Sequence, residues 1–206
     1  FIYSSGFRVT PFRRGMKRAL DLLLAFMGIL IVLPLLPVIA LLIKMTSPGP
    51  VLFRQKRVGE GGQEFTLIKF RTMCDKAEKE TGAVWASEDD PRITGIGRWL
   101  RKLRIDEIPQ LFNVLKGEMS FIGPRPERRE FVDKLSEKIP YYNERHSIKP
   151  GVTGWAQIKY PYGATEEDAL EKLRYDLFYI KNYSITLDLM IVLGTIKVVL
   201  FGRGGR

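Results

Sequence analysis

Asp106 and Glu107 are adjacent carboxylates that follow a dense cationic stretch, Arg98-Trp99-Leu100-Arg101-Lys102-Leu103-Arg104. Such a pair can divide labour on a phosphate ester, one carboxylate attacking phosphorus while the other holds a divalent cation. A carboxylate that meets a diphosphate faces like-charge repulsion, so the site must supply positive charge. Mg²⁺ and arginine do this, arginine by forked bonding to phosphate oxygens. Arg101 and Arg104 lie close enough along the chain to serve. The same residues also have a plain structural reading, because Asp106 is a good helix N-cap and Glu107 suits a first helical turn.

Three further stretches carry groups suited to anions. In Ser120-Phe121-Ile122-Gly123-Pro124-Arg125-Pro126-Glu127, Pro124 and Pro126 fix the backbone around Arg125 and Gly123 permits close approach of a ligand. That would aim a guanidinium at a phosphate; the alternative is a rigid loop with a solvent arginine. Lys149-Pro150-Gly151-Val152-Thr153-Gly154-Trp155-Ala156-Gln157 is a turn-rich loop suited to walling a pocket, with Gln157 as a polar contact. Phe53-Arg54-Gln55-Lys56-Arg57-Val58-Gly59 and Lys69-Phe70-Arg71 supply more cations, which serve equally as a basic hairpin near anionic lipid. The single His146 and single Cys74 make neither a histidine-based metal site nor an internal disulfide framework, and Cys74 fits a reducing compartment.

These groups must be held by something, and the chain offers an unusual support. Leu22 to Ile43 is a charge-free apolar run of 22 residues interrupted by Pro34 and Pro37. A continuous helix of that length reaches ~33 Å, close to the ~30 Å hydrocarbon thickness of a bilayer. Each proline removes an amide donor and crowds the preceding turn. Arg13, Arg14, Lys17 and Arg18 precede the run, and Lys44, Arg54, Lys56 and Arg57 follow it. Basic residues favour the cytoplasmic side, so positive charge on both flanks suits a helix that enters and leaves by one face. A proline-kinked spanning helix satisfies the segment equally well.

The remaining residues suffice for one compact domain. A formal net charge of +10 calls for a polyanionic partner. Basic residues are not interleaved with stacking aromatics and no reading helix stands out, which argues against nucleic acid and for anionic lipid and phosphorylated substrates. Three segments follow: a basic juxtamembrane linker at 1–16, a re-entrant membrane helix at 17–46 and a catalytic domain at 47–206. In the last, Ser47-Pro48-Gly49-Pro50 returns the chain to water, and Val51–Gln55 and Glu64–Phe70 read as strands joined at Gly59–Gly62. Helices are expected over Asp75–Pro91 in part, Gly97–Leu103, Glu107–Lys116 with Gly117 as the stop, and Pro126–Ile139. Thr165 and Asp168 form a capping pair that opens a helix to about Tyr183. Ile185–Phe201 is too interrupted by Asp188 and Lys197 to span, and is expected to lie along the interface or under the membrane helix. The fold class is α+β: a small, mostly helical catalytic domain with a short β-hairpin, joined to a Pro-broken re-entrant helix and interfacial amphipathic helices.

Taken in order, Lys17-Arg18-Ala19-Leu20-Asp21, the Pro-interrupted run, Ser47-Pro48-Gly49-Pro50, Phe53–Gly59, Lys69-Phe70-Arg71-Thr72-Met73, Ile105-Asp106-Glu107, Gly123-Pro124-Arg125-Pro126 and Pro150-Gly151-Val152-Thr153-Gly154-Trp155 resemble the bacterial sugar transferases. These are the monotopic polyprenyl-phosphate phosphoglycosyl transferases. The resemblance runs from about Lys17 to the C-terminus. Ile105 stands where the family more often has leucine. Tyr160-Pro161-Tyr162-Gly163 and the long tail are similar to larger members with extra N-terminal membrane helices and a further domain, and Phe1 in place of an initiator methionine fits a piece of such a protein.

The resemblance implies transfer of a sugar 1-phosphate from a UDP-sugar to undecaprenyl phosphate, releasing UMP, with ping-pong kinetics. It implies Asp106 as nucleophile, Glu107 as the Mg²⁺ ligand, Arg101 as a phosphate anchor and Arg125 as a nucleotide-sugar contact. Pro124, Arg104, Lys69, Arg71 and Gln157 complete the expected substrate site. It further implies a re-entrant helix broken at Pro34 to Pro37 and fixed near the site by Arg18 and Asp21. The setting would be the cytoplasmic face of a bacterial inner membrane, in contact with anionic lipids, in exopolysaccharide or related glycoconjugate synthesis; a homo-oligomer is compatible with the sequence.

Overall fold

The computed structural model describes residues 10–74, 90–160, 163 and 165–200, with 199 and 200 described by backbone alone. Thr10 accepts the Arg13 amide and Pro11 occupies the first turn, so helix α1 (Pro11–Val32) begins before the apolar run and carries Arg13 and Arg14 on its opening turns. At Leu33–Leu35, which contains Pro34, the helix tightens to a 3₁₀ turn; it resumes as α2 (Leu36–Thr46) with Pro37 in its first turn. The break thus falls at the two prolines, where amide donors are missing.

The burial of this helix is inverted relative to a soluble protein. Lys17, Asp21 and Ala25, spaced by four, are buried, while Leu23, Phe26, Met27, Leu30 and Ile31 point outward. Only 11% of its most apolar window is buried, and contiguous apolar surface of this extent marks a membrane or partner contact.

Strands β1 (Leu52–Val58) and β2 (Glu64–Phe70) pair antiparallel, with Leu52 opposite Phe70 and Val58 opposite Glu64. The connecting turn uses Gly61 and Gly62 at positive φ, which glycine adopts without a Cβ penalty. Then come α3 (Gly95–Lys102), α4 (Gln110–Lys116), β3 (Ser120–Ile122), α5 (Arg129–Lys138), β4 (Gly151–Thr153), α6 (Trp155–Lys159), α7 (Glu166–Lys181) and α8 (Ile185–Leu200). Thr165 and Asp168 form the expected reciprocal capping box of α7, and Gly117 stops α4 in the left-handed region at φ 86°. The helix expected to start at Pro126 starts at Arg129. The segment expected between Asp75 and Pro91 lies largely outside the described residues.

One pairing has no counterpart in the sequence reading. β3 and β4 run parallel, Ser120 opposite Gly151 and Ile122 opposite Thr153, so the two loops singled out separately are one structure. A Cβ on Gly123 would sit 2.4 Å from the Lys149 carbonyl oxygen. Gly123 therefore admits the neighbouring backbone rather than a ligand.

Apolar packing ties this helix to the rest of the chain at two places. Ala25 packs with Leu67, Leu111, Val114 and Met119, while Ile39 and Ile43 pack with Phe70 and Leu100. Ile108 touches both groups, and it is the residue after Glu107.

Candidate active site

Asp106 and Glu107 lie in a 3₁₀ turn, Ile105–Glu107, between α3 and α4. Arg104 precedes the turn with φ 55°, a left-handed conformation uncommon for a side chain other than glycine and asparagine. Helix α4 begins only at Gln110, with Pro109 at its N-cap and no side-chain capping bond. Asp106 therefore caps neither element, although both acids do lie in the first turn of the short 3₁₀ helix.

The two carboxylates are buried and treated differently. Glu107 Oε1 accepts from Lys69 Nζ at 3.0 Å and from Arg125 at 2.6 Å, and Oε2 faces Arg104 at 3.4 Å. Burial works to raise Glu107, but Arg125, Lys69 and Arg104 together outweigh it and hold its carboxyl well below the usual carboxylate range. Burial, with the charge of Glu107 beside it, pushes Asp106 up to about 6, against the pull of Lys69, Arg101 and Arg125. Among the described residues, no hydrogen bond reaches the Asp106 carboxylate. Two adjacent acids with affinities driven apart are suited to separate roles, one a fixed anion and one a free reactive oxygen. Lys69 is pushed below its usual value chiefly by burial, with Arg125 adding to the shift and Glu107 opposing it.

Each expected site residue has a definite place. Lys69, at the end of β2, and Arg125, after β3, converge on Glu107. Arg101 projects from α3, its Nε donating to Thr72 Oγ1 at 2.9 Å, and its charge is felt at Asp106. Pro124 is buried and its carbonyl accepts the Gly151 amide at 2.8 Å. Arg71 is engaged elsewhere: its two terminal nitrogens donate to the carbonyls of Pro48 and Ser47 at 2.9 and 2.7 Å, clasping the exit from α2. Gln157 donates to the Val152 carbonyl at 3.2 Å and so braces its own loop.

The helix-positioning residues grip the elements that flank the site. Arg18 donates to the Val114 and Leu115 carbonyls at 2.6 and 2.9 Å, at the end of α4. Asp21 Oδ1 accepts from Lys17, from Ser120 Oγ and from the Phe121 amide. Lys17 also pairs with Asp188 of α8 at 3.5 Å, and Tyr179 of α7 donates to that carboxylate at 2.7 Å.

Two buried polar residues complete the frame and were missed in the sequence. Asn113 accepts the Ile68 amide and donates to the Thr66 carbonyl, stitching α4 to the strand that carries Lys69. Its one signal was a polar residue inside Leu111-Phe112-Asn113-Val114-Leu115. Arg145 donates to the Arg125 carbonyl, and nothing in its surrounding sequence points there. Among the described residues, no three His, Cys, Asp or Glu side chains converge into a metal cluster. Mg²⁺ is commonly held by one or two carboxylates with substrate phosphates completing its shell; Glu107, the expected ligand, is paired with Lys69, Arg104 and Arg125.

The carboxylate pair is ringed by Lys69, Arg104 and Arg125 and sits on a body packed against an outwardly apolar helix. The chain belongs to the bacterial sugar transferase family, whose sequence model matches residues 12–202. It is 49% identical over 197 residues to a UDP-N-acetylgalactosamine-undecaprenyl-phosphate N-acetylgalactosaminephosphotransferase of Aeromonas hydrophila, covering 96% of this chain and 46% of that protein. It is 46% identical over 192 residues to the undecaprenyl-phosphate glucose phosphotransferase of Komagataeibacter xylinus, covering 91% and 36%. The exopolysaccharide production protein PSS of Rhizobium leguminosarum bv. phaseoli is 41% identical over 186 residues, covering 88% and 93%. The chain thus spans less than half the length of the first two relatives.

Proposed function

We propose that this chain transfers a sugar 1-phosphate from a UDP-sugar to undecaprenyl phosphate. The observation that carries the proposal is the split acid pair: Asp106 buried without a hydrogen-bond partner among the described residues, beside Glu107 held by Lys69, Arg104 and Arg125. A carboxylate at about 6 is largely ionised at neutral pH and free to attack. In the first half-reaction an Asp106 oxygen bonds to the sugar-bearing phosphorus, the bond from that phosphorus to the bridging oxygen breaks, and UMP leaves with that oxygen. In the second, an oxygen of undecaprenyl phosphate attacks the same phosphorus and Asp106 is released. The covalent stage lets UMP depart before the lipid phosphate arrives, so two anions need not share one pocket, and ping-pong kinetics follow.

Lys69 and Arg125, which neutralise Glu107, would turn to the diphosphate when it binds. Glu107 would then hold Mg²⁺, which supplies charge neutralisation at the phosphorus under attack. Arg101, steadied by Thr72, serves as a further phosphate anchor.

The re-entrant reading of the membrane helix is supported by its contacts. Ala25 before the break and Ile39 and Ile43 after it pack on one domain, and Arg71 ties the exit back to that domain. Contacts with one body from both sides of the break favour entry and exit on a single face. Basic flanks on both sides of the run and the exposed thiol of Cys74 favour the cytoplasmic face of the inner membrane, with anionic lipids around it.

The test is UMP release from a panel of UDP-sugars, UDP-N-acetylgalactosamine and UDP-glucose among them, with undecaprenyl phosphate and Mg²⁺. Parallel initial-rate lines and Asp106-dependent release are expected. Intersecting lines would overturn the covalent step, and full turnover by Asp106→Asn would overturn the nucleophile.

A further inference from the structure

The segment that presents Arg125 is held by its carbonyls. Pro124 and Pro126 have no amide hydrogen, so their main-chain handles are acceptors alone. The Pro124 carbonyl takes the Gly151 amide at 2.8 Å, and the Glu127 carbonyl takes the Val58 amide at 2.9 Å. Between them, the Pro126 carbonyl faces Arg57 at 3.4 Å, and the Arg125 carbonyl accepts from Arg145 NH2 at 3.0 Å. The residue whose guanidinium meets Glu107 is thus gripped at its own carbonyl by a second, buried guanidinium.

Arg145 is itself firmly placed. It lies in a 3₁₀ segment, Tyr142–Ser147, and is 6% exposed. NH2 also donates to Asp176 Oδ2 of α7 at 2.8 Å, NH1 donates to Tyr142 Oη at 2.7 Å, and the guanidinium stands 5.1 Å from the centre of the Tyr142 ring. Tyr142 is packed in the apolar group formed by Val58, Val132, Leu135 and Leu173. Burying an arginine this deeply is costly unless its fork is used, and here one arm of the fork serves the Arg125 backbone.

We propose that Arg145 is a positioning residue for Arg125, transmitting the rigidity of α7 and the Tyr142 core to the main chain that aims the Arg125 guanidinium. This deepens the phosphoglycosyl transfer reading and rests on it for what Arg125 meets. Arg145 itself touches neither carboxylate of the acid pair.

The test is a double-mutant cycle of Arg145→Lys with Arg125→Ala in the purified, detergent-solubilised chain. Lysine keeps the charge but cannot supply the fork. The cycle is read as UMP release and, independently, as the dissociation constant for inorganic pyrophosphate, which needs the cation cluster but no turnover. With Arg125 present, Arg145→Lys is expected to weaken both by about tenfold, the scale of one lost hydrogen bond from a charged group. With Arg125 replaced by alanine, the same change is expected to cost less than about twofold, because its effect passes through the missing side chain. Equal losses in both backgrounds, or no loss with Arg125 present, would overturn the proposal. A wild type that binds pyrophosphate without releasing UMP counts against the transfer reaction and leaves the cycle readable. If Arg145→Lys does not fold, Asp176→Asn and Tyr142→Phe, which loosen Arg145 without removing it, carry the same cycle with the same two outcomes.

Discussion

Ser120 Oγ donates to Asp21 Oδ1 at 2.9 Å, joining residues 99 apart in the chain. The neighbouring Phe121 amide donates to the same oxygen at 3.0 Å, and Lys17 completes its surroundings at 2.7 Å. One carboxylate on the membrane helix thereby fixes the strand that leads directly into Pro124-Arg125-Pro126. Removing that carboxylate leaves Lys17 facing only Asp188 and strands the Phe121 amide, while Ser120 Oγ keeps the Ile122 carbonyl. Asp21→Ala is expected to destabilise the chain by roughly 3–5 kcal/mol, the range for breaking a buried ion pair from one side. Thermal unfolding in detergent reads the loss, and a change under about 1 kcal/mol would contradict it.

The acid pair predicts opposite signs from two nearly isosteric changes. Asp106 is pushed up by burial and by Glu107, so its charge costs the folded state; Asp106→Asn should leave the melting temperature unchanged or raise it. It should also lower UMP release by at least about a thousandfold, as loss of a nucleophile does. Glu107→Gln strips the counter-charge from Lys69, Arg104 and Arg125 and should destabilise by roughly 3 kcal/mol. Paired melting curves and activity assays check both; a destabilised Asp106→Asn beside a stable Glu107→Gln would reverse the assignment.

His146 predicts a pH dependence. Burial, with Arg145 and Arg129 nearby, pushes it down to about 4, so it stays neutral in the folded chain while the unfolded chain protonates it from about pH 6.5 downward. The unfolded state then binds more protons between those values, and stability falls as pH drops from 6.5 towards 4. Asp106 and Asp176, both pushed up to about 6, act in the opposite direction in part of that window. The comparison that isolates the histidine is wild type against His146→Gln: their difference in melting temperature should hold constant above pH 7 and shift against the wild type as pH falls. A constant difference down to pH 4.5 would show that His146 is not held neutral.

Topology is open to direct labelling. Phe12 and Met45 are exposed, on either side of the 3₁₀ break. In a Cys74→Ser background, Phe12→Cys and Met45→Cys should react with a membrane-impermeant maleimide from the same side only. Reaction from opposite sides would establish a spanning helix.

Features written in contiguous residues were legible. The capping box at Thr165 and Asp168, the Gly117 stop, the glycine turn of the hairpin and the break at Pro34 and Pro37 each depend on local backbone chemistry. The convergence of Lys69 and Arg125 on Glu107 was not legible, because the three were expected only as separate substrate and metal contacts. What stayed hidden was long-range: three-residue strands too short to show alternation, a parallel pairing across 30 residues, and donors such as Arg145 and Asn113 whose partners are main-chain carbonyls. Arg71 and Gln157, expected at the substrate, donate to main-chain carbonyls, and a polar side chain facing a backbone group reads in sequence like one facing a ligand.

The Lys17–Asp188 pair has a consequence for how the chain is made. Lys17 emerges from the ribosome about 170 residues before Asp188, which at ~5–20 residues per second is a delay of roughly 10–30 s. Ser120, the other distant partner of this cluster, also arrives late. Until Ser120 emerges, Lys17 and Asp21 have, among the described residues, only each other to pair with. Helix α1 is therefore made well before the partners that seat it, and its last contact to form is the one with Asp188.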